Sequence, residues 1–224
     1  MNVAEIADRV LRLALPHPVR VGVDGFCAAG KTTLADELAR LVRARSRFVI
    51  RASADDFQNP PEIRYQLGKE SPEGFLRHAL DLAALRAELL DPLGDGGSLD
   101  YRTSTYDIHA LKPNLSPQLR APASAILILD GLFLHLPDLA GCFDFTIFVT
   151  ASVETCLARA LRRNQEGHAS LEQLARIYRD RYIPGFQMYL DQVRPQDLAS
   201  VVISTEGLEG GAAQPYIDEP WKPA

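Results

Sequence analysis

Five short apolar runs recur along the chain: residues 18–24 (PVRVGVD), 47–53 (RFVIRAS), 125–130 (AILILD), 143–150 (FDFTIFVT) and 200–204 (SVVIS). They are rich in Val, Ile and Phe, and the central ones are apolar at successive positions, the pattern of strands covered on both faces. Between them the period changes to that of a helix. Residues 31–43 carry Leu34, Leu38 and Leu41 on one face. Residues 72–90 open with Ser71-Pro72-Glu73, an N-cap followed by proline at the first helical position. Ser170 and Gln173 have capping-box spacing ahead of Leu174, Ile177 and Tyr178. Near the start, Val3, Ile6, Val10 and Leu13 mark an amphipathic helix, too charged at Glu5, Asp8, Arg9 and Arg12 for a signal peptide. Strands interleaved with helices predict an α/β fold on a parallel sheet.

Two stretches break the alternation. Residues 91–122 hold DPLGDGG, a segment running from Tyr101 to Tyr106 and a Pro-containing loop, and read as a hairpin excursion beside the sheet. From Thr205 the chain turns Gly- and Pro-rich and ends in EPWKPA. The expectation is one domain over residues 1–204 followed by a mobile tail over 205–224.

Composition refines this by exclusion. At 224 residues, 46% apolar and 24% charged, the chain suits one sizeable α/β domain. Lys and Arg number 24 against 29 Asp and Glu, so the broad basic footprint of a nucleic-acid binder is missing. No apolar run approaches the roughly 18 residues needed to cross a bilayer. Cys27, Cys142 and Cys156 have no paired spacing, which fits a reducing cytoplasm rather than a disulfide or zinc framework. A cytoplasmic protein with a small-molecule partner, and neither nucleic acid nor membrane, is expected; homo-oligomerisation is left open.

The chemistry enters at Gly25-Phe26-Cys27-Ala28-Ala29-Gly30-Lys31-Thr32, which satisfies G-x-x-x-x-G-K-[ST] between an apolar strand and an amphipathic helix. Successive backbone N–H groups of such a loop converge on phosphate oxygens, and Gly25 and Gly30 permit the required dihedrals. The following helix aims its positive end at the anion. Lys31 supplies a cation for the β- and γ-phosphates, and the Thr32 hydroxyl can ligate Mg²⁺, with Thr33 completing the helix start. Cys27 reads as a small spacer. The loop predicts a nucleoside triphosphate ligand.

Other motifs narrow the class. There is no N-K-x-D for guanine and no LSGGQ-like signature, and the acidic strand ends Asp130-Gly131 rather than Asp-Glu. Phosphoryl transfer to a small acceptor fits better. Ser53-Ala54-Asp55-Asp56-Phe57 follows the second strand, where a carboxylate faces the ligand crevice. Asp55 is the candidate base for an acceptor hydroxyl, with Asp56 beside it for Mg²⁺, the acceptor or a cap. Asp130 is the candidate Mg²⁺ residue. After the fourth strand, Val153, Leu157 and Leu161 predict a buried stripe, with Arg159, Arg162 and Arg163 on another face. Arginines so placed suit a lid over residues 152–170, closing on the triphosphate, with residues 164–168 at its tip. His78 and His135 read as ordinary helix or loop histidines. Arg181, Tyr182 and Tyr189 are expected to tie the late helix to the sheet, with Pro184 at its bend or end.

The ordered set SADDF, SPEGF, DPLGDGG, LILDGLFL, the arginine helix and RYIPGFQMYL resembles the bacterial uridine kinase-like branch of the P-loop kinases, over residues 19–204. The resemblance implies a three-layer α/β/α fold with a five-stranded parallel sheet, a helical lid and a β-hairpin. It implies ATP and Mg²⁺ as the donor system and a ribonucleoside 5′-hydroxyl as acceptor. Lys31, Thr32 and Asp55 fall on matching motif positions, and Arg163 is the best match in the arginine helix. Tyr106 and His109 stand where the family holds the pyrimidine, though more closely spaced, and Arg102 with Tyr101 lies on the same excursion. Glu73 and Asp81 are candidates for the acid that grips the ribose. Uridine kinases continue the aspartate motif with Phe-Tyr, whereas this chain has Phe57-Gln58. That departure leaves open a pantothenate or sugar-phosphate acceptor, or an ATP-binding regulator without phosphotransfer.

Overall fold

The computed structural model describes residues 2–107, 110–163 and 170–207. In chain order the first half runs α1 (Val3–Leu11), β1 (Val19–Gly25), α2 (Lys31–Arg43), β2 (Val49–Ser53), a 3₁₀ turn (Ala54–Phe57), α3 (Pro61–Arg64), α4 (Pro72–His78) and α5 (Leu82–Leu85), which passes into a π-helical turn (Arg86–Leu90). The excursion contributes β3 (Asp100–Tyr101), β4 (Tyr106–Asp107), β5 (Lys112–Pro113) and β6 (Leu119–Arg120). Then come β7 (Ile126–Asp130), β8 (Phe145–Thr150), α6 (Val153–Arg163), α7 (Leu171–Ile177), a π-helical turn (Tyr178–Tyr182), α8 (Ile183–Val193), α9 (Pro195–Leu198) and β9 (Val201–Ser204).

The long strands form one parallel sheet in the order β2-β7-β1-β8-β9, with helices packed on it. β1 and β7 are buried at every residue, as strands covered on both faces must be, whereas β2 and β9 at the edges alternate. α1 begins with the Asn2–Glu5 capping box and buries Val3, Ile6, Ala7 and Val10 against α2. Ser71 caps α4 through the Gly74 N–H, and the Ser170–Gln173 box opens α7. The excursion folds as two antiparallel ladders, β3 with β6 and β4 with β5.

Three expectations change. The helix predicted over 72–90 is interrupted at Ala79–Asp81, where the backbone pairs with the turn after β2: Asn59 N–H bonds the Ala79 carbonyl at 3.1 Å and Asp81 N–H bonds that of Phe57 at 2.8 Å. The Asp81 carboxylate then caps the next turn through the Ala84 N–H, so it is spent there. The buried residues of α6 are Cys156 and Ala160; of the predicted Val153-Leu157-Leu161 stripe, Leu157 and Leu161 are half-buried and Val153 is exposed. Pro184 marks no helix end: it lies in the first turn of α8, where the π-helical turn gives way to the α-helix.

Candidate active site

The phosphate loop leaves β1 beside β8, and Gly25 is forced by that closeness. Its φ is +147°, and a Cβ there would lie 2.3 Å from the Val149 carbonyl oxygen. Ala28 and Gly30 also have positive φ, 61° and 99°, so the loop coils into a concave nest of backbone N–H groups leading into α2. Gly30 offers no side-chain cap, which leaves the first N–H groups of α2 for an anion. The Lys31 ammonium is bonded to the Phe26 carbonyl at 2.8 Å, folded back over the loop. The Phe26 ring does not face the cradle: it packs on Phe186 at 4.8 Å and on Tyr178 at 6.0 Å, anchoring the loop to α8 and the turn before it. Burial pushes the half-buried Cys27 thiol up to about 11, against the pull of Lys31, with lesser influences from Asp55 and Arg163. A thiol held neutral is a spacer, and the three charges that reach it converge on one loop.

Asp130 ends β7 in register with Val23 of β1 and Ser53 of β2, at the carboxyl edge of the sheet. One carboxylate oxygen accepts from the Thr32 hydroxyl at 2.6 Å. The other lies 2.7 Å from Arg51 Nη1, an ion pair without hydrogen-bond alignment, and Arg51 Nε also bonds Asp36 at 2.8 Å. The Thr32–Asp130 pair is a hard-oxygen donor set of the kind Mg²⁺ takes. Among the described residues no three His, Cys, Asp or Glu gather as a metal site. Thr32 and Asp130 are therefore the residues that would hold the ion.

Asp55 and Asp56 lie in the 3₁₀ turn after β2, which Ser53 caps through the Asp55 N–H at 3.3 Å. Gly131, after Asp130, lets this turn come close: a Cβ there would lie 2.5 Å from Ala54 Cβ. The β4–β5 hairpin closes over the turn, with Thr105 N–H bonded to the Asp56 carbonyl at 3.0 Å. Between them is a cleft of about 570 Å³ lined by Ser53, Asp55, Asp56, Ser104, Tyr106, Asp107 and Asn114. Tyr106 is 4% exposed and its hydroxyl has no protein partner among the described residues. Burial, then the charges of Asp55, Asp130 and Asp107, raise the Asp56 carboxyl above its usual range. Gln58 donates to Asp55 Oδ1 at 3.4 Å and accepts from Arg64. The residue that departs from the uridine kinase pattern thus joins Asp55 to a guanidinium.

Other sequence candidates lie elsewhere. Arg102 turns to the Ser116 carbonyl and to Glu88 at 3.4 Å, so it braces the excursion and does not line the cleft. Glu73 pairs with Arg77 at 2.9 Å on the exposed side of α4. Arg159 is half-buried and bonded to Thr205. Arg162 and Arg163 are exposed at the last turn of α6, and Thr33 is exposed in the first turn of α2. His109 and the lid tip at 164–168 fall outside the described residues. The tail boundary also moves, because Thr205 is 4% exposed and both it and Glu206 are bonded into the fold.

Sequence reasoning missed a buried triad beneath the loop. Asp24 is fully buried; one oxygen accepts from Gly25 N–H at 2.7 Å, and the other meets Tyr189 OH at 2.5 Å and His135 Nδ1 at 2.8 Å. Burial first, then the Asp24 charge and this bond, push the Tyr189 phenol far above its ordinary value, so it stays a donor. The available signal was an Asp inside an otherwise apolar strand, which asks for a partner. Arg181 is also buried, bonding the Lys69 carbonyl at 2.7 Å and stacking on Tyr65. It ties the late helices to the α3–α4 loop, while Tyr189 makes the tie to the sheet.

A sequence profile described as the Phosphoribulokinase / Uridine kinase family matches residues 20–206, from within β1 to the end of the Thr205–Glu206 segment. The chain belongs to the phosphoribulokinase/uridine kinase family. Within it, the uridine kinase of Lactobacillus helveticus is 25% identical over 205 residues, covering 89% of this chain and 92% of that protein. A pantothenate kinase of Streptococcus thermophilus is 25% identical over 184 residues, covering 77% of this chain and 56% of that protein. A Bacillus stearothermophilus structure described as a possible uridine kinase superposes with a TM-score of 0.71 at 20% identity, covering 89% of this chain and 96% of that one, and so shares the fold. As a member of this family the chain has the architecture of a small-molecule P-loop kinase, with the loop after β1 and the crevice at the carboxyl ends of β1, β7 and β2.

Proposed function

We propose that the chain transfers the γ-phosphoryl group of ATP to a hydroxyl of an uncharged, nucleoside-like acceptor, with Asp55 as base. The observation that carries this reading is the composition of the cleft beside Asp55: among the described residues, three carboxylates and four neutral polar side chains line it, with no basic residue. Such a cavity repels a phosphate or carboxylate and accepts hydroxyls as donors. The backbone nest and Lys31 hold the phosphates, and Thr32 with Asp130 would hold Mg²⁺. Bound there, the ion would supply charge neutralisation for the transferring phosphates. The Asp55 carboxylate takes the acceptor's proton as its oxygen bonds the γ-phosphorus and the bond to the bridging oxygen breaks, releasing ADP. The hydroxyls of Ser104 and Tyr106 give the acceptor polar partners, and Arg163, whose charge reaches Cys27 of the loop, adds to the positive charge around the transferring group.

The pantothenate kinase relative favours a second reading, an acceptor bearing a carboxylate, and the acidic lining of the cleft speaks against it. ADP release measured with Mg-ATP against uridine, cytidine, pantothenate and sugar phosphates decides between them. Turnover with nucleosides is expected. Turnover with pantothenate or a sugar phosphate alone, or none beyond background, overturns the proposal.

A further inference from the structure

We propose that Arg159 is a positioning residue that acts on the phosphate loop through Thr205, rather than a group that touches the nucleotide. The inference rests on the reading of the loop as an ATP site. Thr205 follows β9 and is buried. Its hydroxyl donates to the Ala29 carbonyl at 2.7 Å and accepts from Arg159 Nη1 at 3.0 Å. Arg159 Nη2 donates to the Thr205 carbonyl at 2.6 Å, and Thr205 N–H bonds the Thr150 carbonyl at 2.9 Å. The guanidinium therefore grips Thr205 with two nitrogens, and Thr205 grips the loop.

Planarity gives this clasp its effect on the site. In a trans peptide the carbonyl of one residue and the N–H of the next point in opposite directions, and the described chain has no cis peptide. Holding the Ala29 carbonyl toward Thr205 turns the Gly30 N–H away from it, toward the concave side of the nest. That N–H belongs to the run that must meet a phosphate. The next residue extends the clasp to α6. Burial pushes the Glu206 carboxyl up, but the Ser152 N–H, the Thr155 and Ser152 hydroxyls and the Arg159 charge outweigh it and hold the group below its usual range. Glu206 bonds Ser152 N–H at 2.7 Å and the Thr155 hydroxyl at 2.5 Å, at the start of α6. Residues 205–206 thus fix the first and second turns of α6 to the loop, and with them the register of Arg162 and Arg163.

The test is calorimetric binding of ADP and of the β,γ-imido analogue of ATP, each with Mg²⁺, to wild type, R159M, R159K, T205V, T205S and the R159M/T205V double variant. The clasp predicts that R159M and T205V weaken both nucleotides about tenfold, the loss of a charge-assisted hydrogen bond. The double variant should be scarcely worse than either alone, and T205S, which keeps the hydroxyl, should restore binding. R159K keeps the charge without the two-nitrogen grip, so it should resemble R159M. Preferential loss of the imido analogue in R159M, near-normal binding in R159K, or additive effects in the double variant would mean direct phosphate contact and overturn the inference. If wild type binds neither nucleotide, the ATP-site reading falls and this inference with it.

Discussion

Replacing Tyr189 by Phe deletes one oxygen from the most enclosed polar cluster of the fold. That oxygen donates to Asp24 at 2.5 Å and accepts the His135 N–H at 3.0 Å, and Tyr189 has no exposed surface. Losing a hydrogen bond to a buried charge costs about 1.5–3 kcal/mol, and stranding the His135 N–H costs about 1–3 kcal/mol more. The two overlap, since the site relaxes, so a net loss of about 3 kcal/mol is expected. For a chain of this length each kcal/mol lowers Tm by about 2–4 °C, giving a fall of about 6–12 °C. Urea melts followed by circular dichroism should show a lower midpoint at unchanged slope. Because Asp24 also accepts the Gly25 N–H at 2.7 Å, nucleotide affinity should fall alongside. A loss below about 1 kcal/mol would refute the reasoning, because the Asp24 carboxylate would then be reached by water.

Asp55→Asn should leave Mg-ATP affinity within a few-fold of wild type and lower acceptor-dependent ADP release by about 10²- to 10⁴-fold; full activity would remove Asp55 as base. Gly25→Ala forces a Cβ to 2.3 Å from the Val149 carbonyl at a φ of +147°, so nucleotide binding should be lost or the protein recovered only as aggregate; a soluble variant that binds ATP normally contradicts the loop geometry. Asp56→Asn should stabilise. A raised carboxyl favours the folded state below the unfolded pKa and loses that benefit as pH rises through its folded value. The variant's Tm should therefore exceed that of wild type near pH 7 and match it near pH 3. An advantage that grew toward acid would invert the assignment.

Much of the site was legible because its demands are local. Gly25, Gly30, Lys31 and Thr32 lie within a few residues of one another, and apolar runs lead into Asp55 and end at Asp130 by sequence alone. The arginines were harder. Spacing put Arg159, Arg162 and Arg163 on one helical face, but whether a guanidinium is free depends on what packs against that face. Thr205 was read as the first residue of a tail, because the contact that buries it comes from Arg159 and Ala29, distant in sequence. Arg102 looked like a substrate residue until the excursion folded it onto Glu88.

The sequence by itself determined the alternation of strand and helix, the parallel sheet and the phosphate loop, since each follows from periodicity or from dihedrals that only certain residues accept. It also placed one acid at the end of a strand, Asp130, and another just after one, Asp55. Only the tertiary structure decided which charges meet. It joined Asp24 to His135 and Tyr189, Asp130 to Thr32 and Arg51, and Arg159 to Thr205. It also closed the hairpin over Asp55 and Asp56 to make a cleft that three carboxylates line among the described residues. Hydrogen bonds and ion pairs act over a few ångströms, so the partners of a buried charge are set by how distant segments pack, and no local pattern encodes that.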